Sequence, residues 1–263
     1  MPGHFLSRQE RFAVVGSTND VVRAWLAEGT QEVALAVAEE QAHGRGREGR
    51  AWTAPKGAGL LLSLGFRPTW LAPDQAWRIA ATASLAMAEA AEATAELQNG
   101  TIRLKWPNDL VIDAPDGWLK LGGVLGETEG LGTADPRVIV GMGINADWAK
   151  ADFPVDIAAG MTSLREASEG HRTAPDDLLA TFLPRLETGI GALRGGAFLA
   201  AEWQARQATT GRRVTLELPN TPAQDVLATG VDPDTGALLI DDGRRVLSAE
   251  VRQLRPAPVA ARV

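Results

Sequence analysis

Three arginines and three glycines are interleaved in Gly44-Arg45-Gly46-Arg47-Glu48-Gly49-Arg50, and Ala51-Trp52 follows. Arginine keeps its charge at physiological pH, and glycine lets backbone N–H groups come close to a ligand. Such a segment suits an anion, most of all phosphate. It also suits a solvated basic loop, or a nucleic-acid contact of the Gly-Arg type. The net charge of −7 and the scarcity of nearby aromatics weigh against nucleic acid. The Gly-Lys-Ser/Thr ending of a Walker A loop is missing. Gly44-x-Gly46-x-x-Gly49 is not a dinucleotide fingerprint either, because it opens no predicted helix.

Three further clusters could do chemistry. In Lys105-Trp106-Pro107-Asn108-Asp109, Pro107 interrupts a strand and Asn108-Asp109 makes a polar turn. Lys105 faces away from Leu104 and Trp106, where it could reach a ligand lying on the sheet. Gly122-Gly123 after Lys120, and Gly141-x-Gly143 before Asn145, bare two strands of side chains. That pattern fits a flat ligand against backbone, or close packing of a helix. Ser17-Thr18-Asn19 reads as a helix cap, and its hydroxyls and amide could equally bind a polar ligand head. His4, His43 and His171 have no metal-ligand spacing.

The elements that must position these groups are legible in outline. A helix starts at Ser17-Thr18-Asn19-Asp20 and ends at Gly29. Strands are predicted at Val33–Ala38, Leu60–Phe66, Ile102–Trp106, Leu110–Ile112, Trp118–Gly126 and Val138–Ile144, with an alanine-rich helix over Ala76–Leu97. The later strands follow one another without helices, which argues for an antiparallel meander in an α+β sheet. Helices are expected at Ala174–Leu193 and Ala197–Gln207. From Gly211 short strands at Val214–Leu218, Asp225–Val231, Ala237–Ile240, Arg244–Leu247 and Glu250–Leu254 suggest a small β-barrel of ~50 residues. The expected division is residues 1–208 and 209–263, with a frayed tail after Pro256.

Composition narrows the classes. An apolar fraction of 45% in 263 residues supports a sizeable core. The chain has no cysteine, which excludes disulfides and thiol nucleophiles. Met1 to Gln9 lacks an apolar signal region, and the alanine-rich helix carries Arg78, Glu89, Glu92 and Glu96, so it is not a membrane span. A cytoplasmic protein is expected, with neither a membrane nor DNA as partner.

Taken together, Ser17-Thr18-Asn19, Gln41-Ala42-His43-Gly44-Arg45-Gly46-Arg47, Lys105-Trp106-Pro107-Asn108-Asp109, Lys120-Leu121-Gly122-Gly123 and Gly141-Met142-Gly143-Ile144-Asn145 resemble the biotin protein ligases. The likeness is strong from Phe12 to Asn145. It implies an α+β catalytic domain with a mixed or antiparallel sheet, related to class II aminoacyl-tRNA synthetases, and a C-terminal SH3-like barrel. It also implies ATP and biotin as substrates, Mg²⁺ with the ATP, and a lysine of a biotin carboxyl carrier domain as acceptor. By motif position Ser17, Thr18, Asn19, Gln41, Gly44, Arg45, Gly46, Arg47, Lys105, Gly122 and Gly123 fall to biotin. Arg47, Arg50, Trp52, Lys105, Lys120 and Asn145 fall to ATP and the adenylate. Lys105 and Arg47 are the expected catalytic residues, and Asp109 is a candidate proton acceptor.

Some positions depart from the family pattern. Gly16 and Glu40 stand where many relatives carry an acidic residue and an aromatic or polar one, and Ser248-Ala249-Glu250-Val251 replaces a Gly-Gly-type segment. The short stretch before Phe12 leads to the expectation of a ligase that is not a repressor. A homodimer through a sheet edge, common in the family, stays open. The rival readings are a lipoate–protein ligase, whose usual Arg-Arg-x-x-Gly-Gly-Gly loop is not seen here, a nucleic-acid-binding module, and a catalytically silent biotin-binding scaffold.

Overall fold

The computed structural model describes residues 5–218, 221–247 and 250–253. Seven strands form one sheet: β1 (Arg8–Phe12), β2 (Ala34–Ala38), β3 (Gly59–Phe66), β4 (Ile102–Lys105), β5 (Asp109–Ala114), β6 (Gly117–Glu129) and β7 (Arg137–Asn145). Their order is β1-β2-β3-β7-β6-β5-β4. The run β4 to β7 is the expected antiparallel meander. The sheet as a whole is mixed, because β1 pairs parallel with β2 across helix α1 (Thr18–Ala27). No strand was expected at β1. Its sequence, Arg-Gln-Glu-Arg-Phe, is charged because it forms the sheet's edge, where alternate side chains meet solvent.

Each face of the sheet is covered differently. Helices α2 (Trp77–Thr94) and α4 (Pro175–Arg194) pack on one face. The buried alanines of α2 let α4 come close, and a Cβ on Gly189 of α4 would stand 2.7 Å from Thr82. On the other face α1 lays Val22, Trp25 and Leu26 against Ala34, Ala36 and Ile139. The remaining helices are short: α3 (Leu164–Ala167), and α5 (Ala200–Ala205), which is less than the Ala197–Gln207 expected. The last five strands, β8 (Arg212–Glu217), β9 (Gln224–Val231), β10 (Leu238–Ile240), β11 (Arg245–Val246) and β12 (Glu250–Gln253), form an antiparallel sheet in the order β11-β10-β9-β8-β12. Ser248-Ala249, Leu254 and the tail after Pro256 lie outside the described residues.

A buried ion pair ties the two sheets together. Arg206 donates to Glu92 through Nη1 (2.8 Å) and Nη2 (2.9 Å), and also to the Ile102 carbonyl and Asn99. Glu92 accepts in addition from the Gly100 and Ile102 amides. The chain then runs beside β4: Leu104 N–H donates to Arg206 O, Ala208 N–H to Leu104 O, and Trp106 N–H to Thr209 Oγ1. Both charged groups are buried, so removing one strands the other. Arg206→Met is expected to cost about 3–5 kcal/mol, read as a lower urea midpoint with unchanged m-value. An unchanged midpoint would show that the pair does not hold the junction.

Candidate active site

The N-terminus of α1 comes to the sheet through side-chain bonds. Ser17 occupies the N-cap, yet its hydroxyl makes no capping bond, so the helix-cap reading does not account for it. Gln41 Oε1 accepts from Thr18 N–H (2.8 Å) and Thr18 Oγ1 (3.1 Å). Ser63 Oγ lies 2.7 Å from Thr18 Oγ1 and 2.5 Å from Asn19 Oδ1, and its single proton serves one of them at a time. Asn19 Nδ2 donates to the Glu127 carboxylate. Sequence reasoning missed Ser63. The available signal was a lone hydroxyl in the otherwise apolar, fully buried strand β3.

The arginine segment is an ordered hairpin. Arg45 and Ala51 bridge, Gly46 N–H donates to Arg50 O (2.7 Å), and Trp52 N–H donates to Gly44 O (2.9 Å). Residues Arg47–Gly49 form one 3₁₀ turn, with Gly49 at φ +74, a conformation that favours glycine. Gly44 closes the hairpin base: a Cβ there would stand 2.3 Å from the Trp52 carbonyl. Arg45 forks onto Asp20 in the first turn of α1, with Nη1 to Oδ2 at 2.8 Å and Nη2 to Oδ1 at 2.5 Å. This bond is the main reason the Asp20 carboxyl sits below its ordinary value, and Arg23 adds to it. The Arg45 guanidinium is raised by the same bond.

The glycine strands divide into two kinds. On the cavity face, a Cβ on Gly141 would lie 2.2 Å from Asn19 Oδ1, and one on Gly143 would lie 2.3 Å from Trp52 Nε1. Gly123 pairs with Gly143, and a Cβ there would lie 3.5 Å from Lys120 Nζ and 3.6 Å from Asp109 Oδ1. Gly122 faces the opposite side, against Ile144. An irregularity in register opposite Leu110 and Val111 turns both Leu121 and Gly122 to the core while Lys120 and Gly123 face the cavity.

The cationic groups gather around one carboxylate. Asp109, opposite Lys105 in the β4–β5 register, meets Lys120 Nζ at 2.6 Å and Lys105 Nζ at 3.7 Å. Lys120 Nζ lies 5.5 Å from the Trp52 ring centroid, and Lys105 Nζ 5.7 Å from that of Trp118, within cation–π range. Asn108 fixes the turn that carries this group: its Nδ2 donates to Val124 O, and Val124 N–H donates back to Asn108 O, both at 2.8 Å.

A single cavity of ≈290 Å³ takes in Ser17, Thr18, Asn19, Gln41, the hairpin residues Arg45, Gly46, Arg47, Arg50 and Trp52, and Lys105, Asp109, Lys120 and Gly123. Three expected site residues are not brought to its wall. Gly44 closes the hairpin and Gly122 faces the core. Asn145 is fully buried, with Nδ2 on Thr162 O (2.9 Å) and Oδ1 without a partner. Ile157, Met161 and Val251 also line the cavity. Nothing in their local sequence marks them, since only long-range packing brings them there. Among the described residues no three His, Asp or Glu side chains are grouped to hold a metal, and no helix is long and apolar enough to cross a membrane.

Residues 12–145 match the model of the Biotin/lipoate A/B protein ligase family, and the chain belongs to that family. Its likenesses within the family are specific. Over 241 residues it is 35% identical to a biotin–[acetyl-CoA-carboxylase] ligase of Mycobacterium tuberculosis, covering 89% of this chain and 84% of that one. Over 231 residues it is 31% identical to the enzyme of the same name from Paracoccus denitrificans, covering 85% and 91%. The structure superposes on the biotin protein ligase of Aquifex aeolicus in complex with biotin and ATP, with a TM-score of 0.76 at 25% identity, covering 95% of this chain and 99% of that one.

The seat of Trp52 on Gly143 is open to test. Gly143→Ala is expected to lift the indole and loosen the hairpin. Trypsin should then cut at Arg45, Arg47 or Arg50 about tenfold faster, as ~1.4 kcal/mol of lost local stability would give. Equal cleavage rates in parent and variant would show that Gly143 does not hold the loop.

Proposed function

We propose that this protein is an ATP-dependent biotin–[carboxyl-carrier protein] ligase. The observation that carries the reading is the shared cavity. It sets the hydroxyl and amide groups of Ser17, Thr18, Asn19 and Gln41 on the same walls as Lys105, Lys120, Arg47 and Arg50. The names of the Mycobacterium, Paracoccus and Aquifex relatives support the same substrates.

In the first step a biotin carboxylate oxygen attacks the α-phosphorus of ATP. The bond from that phosphorus to the β-phosphate oxygen breaks, and pyrophosphate leaves. The carboxylate is already ionised at neutral pH, so the protein has to align two anions and offset their repulsion. Lys105, with Arg47 and Arg50, supplies positive charge in a partly dry site, where such contacts strengthen. Alignment alone contributes about 7–11 kcal/mol in a well-ordered bimolecular step. Mg²⁺ would enter as the ATP complex, with phosphates and water as its main ligands. Thr18 and Gln41 offer the donors and acceptors that the ureido ring of biotin needs, with Ser17 and Asn19 beside them. Trp52 offers an aromatic face for the adenylate.

In the second step the neutral amine of a carrier lysine attacks the acyl carbon, the bond from that carbon to the AMP phosphate oxygen breaks, and AMP leaves. The amine also loses a proton, and Asp109, the one carboxylate in the cavity wall among the described residues, is the candidate to accept it. Its contacts with Lys105 and Lys120 give it a second role as the counter-ion that positions both. The five-stranded C-terminal sheet is read as the SH3-like barrel of the family, with the domain boundary near residue 208, and the reaction is placed in the cytoplasm.

The deciding measurement is ATP–pyrophosphate exchange with biotin, with lipoate, and with neither. Exchange should require biotin. Exchange driven by lipoate alone would replace this reading with the lipoate–protein ligase. Lys105→Ala should lower biotin-dependent exchange by about a hundredfold or more, near 2.7 kcal/mol, with an unchanged far-UV spectrum. Near-parent exchange would remove Lys105 from the charge-offsetting role. Arg47→Ala should release biotinyl-AMP faster than the parent, because the closed loop retains the reactive anhydride. Unchanged release would place retention elsewhere.

A further inference from the structure

The side chains at the start of α1 form a hydrogen-bond relay whose direction is set by the groups at its two ends. At one end is Glu127 on β6, two residues beyond Leu125 and on the same face of the strand. Leu125 lines the cavity and Glu127 does not. Glu127 Oε2 accepts from Asn19 Nδ2 and lies 2.9 Å from Arg23 Nη2. A carboxylate only accepts, so Asn19 must present its amide nitrogen there and its oxygen to Ser63. At the other end the Thr18 backbone N–H only donates, so Gln41 must turn Oε1 to it. Thr18, Asn19 and Ser63 are buried, so the protons between these ends have to be matched within the group.

Two hydroxyls stand between the ends, and a hydroxyl can donate along either of its contacts. With Asn19 Oδ1 facing Ser63, the Ser63 proton goes to that oxygen (2.5 Å) and the Thr18 proton to Ser63 Oγ (2.7 Å). Gln41 Oε1 then accepts only from the Thr18 amide (2.8 Å). It and Thr18 Oγ1 each keep a lone pair for the cavity that both residues line. In the reverse direction Asn19 turns its nitrogen to Ser63, Ser63 donates to Thr18, and Thr18 donates to Gln41 Oε1 (3.1 Å). That arrangement makes one more bond within the relay, so without Glu127 it is the favoured one, and it uses both lone pairs of Gln41 Oε1. We infer that Glu127 is a positioning residue that holds the relay in the first direction and so offers the ligand two acceptors, an inference that rests on the ligase reading above. The ureido ring of biotin brings two N–H donors to meet them, and the dithiolane ring of lipoate brings none.

The test is the biotin affinity of the full chain, read by titration calorimetry. Glu127→Leu frees Asn19 to turn and should weaken biotin about tenfold, the size of one lost hydrogen bond. Glu127→Gln should bind within about twofold of the parent, because Arg23 only donates and so keeps an amide oxygen in the place of Oε2. Ser63→Ala cuts the relay, leaves Gln41 as the one acceptor for the Thr18 proton, and should give the tenfold loss by itself. Adding Glu127→Leu to Ser63→Ala should cost nothing further, because both act through Asn19 as one unit. Losses that add would place Glu127 outside the relay, and an equal loss in Glu127→Gln would make its charge the cause. Either result overturns the inference, and so does parent-like affinity in folded Glu127→Leu. If Glu127→Leu does not fold, Glu127→Gln and Ser63→Ala decide, and parent-like affinity in Ser63→Ala overturns the inference. A parent that binds no biotin overturns the ligase reading and this inference with it.

Discussion

The bare strip on the cavity face of the sheet is the constraint from which the site is built. Gly141 and Gly143 alternate along β7, so the two absent side chains point the same way. The room they leave is taken by Asn19 from α1 and by Trp52 from the arginine hairpin, each too close to tolerate even a methyl group. The N-terminus of α1 and the hairpin can therefore both settle on the sheet. Between them they bring the amide, hydroxyl and guanidinium groups to one cavity. Side chains at these two positions would hold the polar groups away from the floor, and the cationic groups would then line an open surface.

Charge in this site is held in reserve. Lys105 and Lys120 are brought together around the Asp109 carboxylate, which offsets their mutual repulsion where partial burial strengthens it. Arg45 is likewise spent on Asp20, so its charge tethers the hairpin to α1. The arginines of the loop thus divide by role. Arg45 anchors the hairpin as well as lining the cavity, while Arg47 and Arg50 stand in the cavity wall.

Lys105 depends on more than its own sheet. Its strand is bracketed by the chain at Arg206–Ala208, which is fixed in turn by the buried Glu92 pair. The neighbouring Trp106 is bonded to Thr209 and to Gly236, just before β10. The C-terminal sheet therefore braces the turn that presents Lys105 and Asp109, and it supplies Val251 to the cavity wall. Among the described residues the small sheet brings no charged side chain to the cavity wall.

Much of this was readable from residues alone. The alternation of Ile102, Leu104 and Trp106 with Arg103 and Lys105 placed Lys105 outward. The company of motifs around the Gly-Arg run identified the family. Other features had no local signal. Arg8–Phe12 is a strand only because β2 lies beside it. Gly122 and Gly123 are equivalent in sequence, yet the shifted register opposite Leu110 and Val111 sends one to the core and the other to the cavity. Gly44 and Asn145 belong to motifs that suggest ligand contact, and neither is in the wall of the cavity: Gly44 closes the hairpin and Asn145 Nδ2 donates to Thr162 O. Ile157, Met161 and Val251 come to the cavity wall from distant parts of the chain. A sequence determines which residues share a face, since the period of a strand is a local property. Which face meets the cavity is set by pairing between distant segments, and only the tertiary structure decides that.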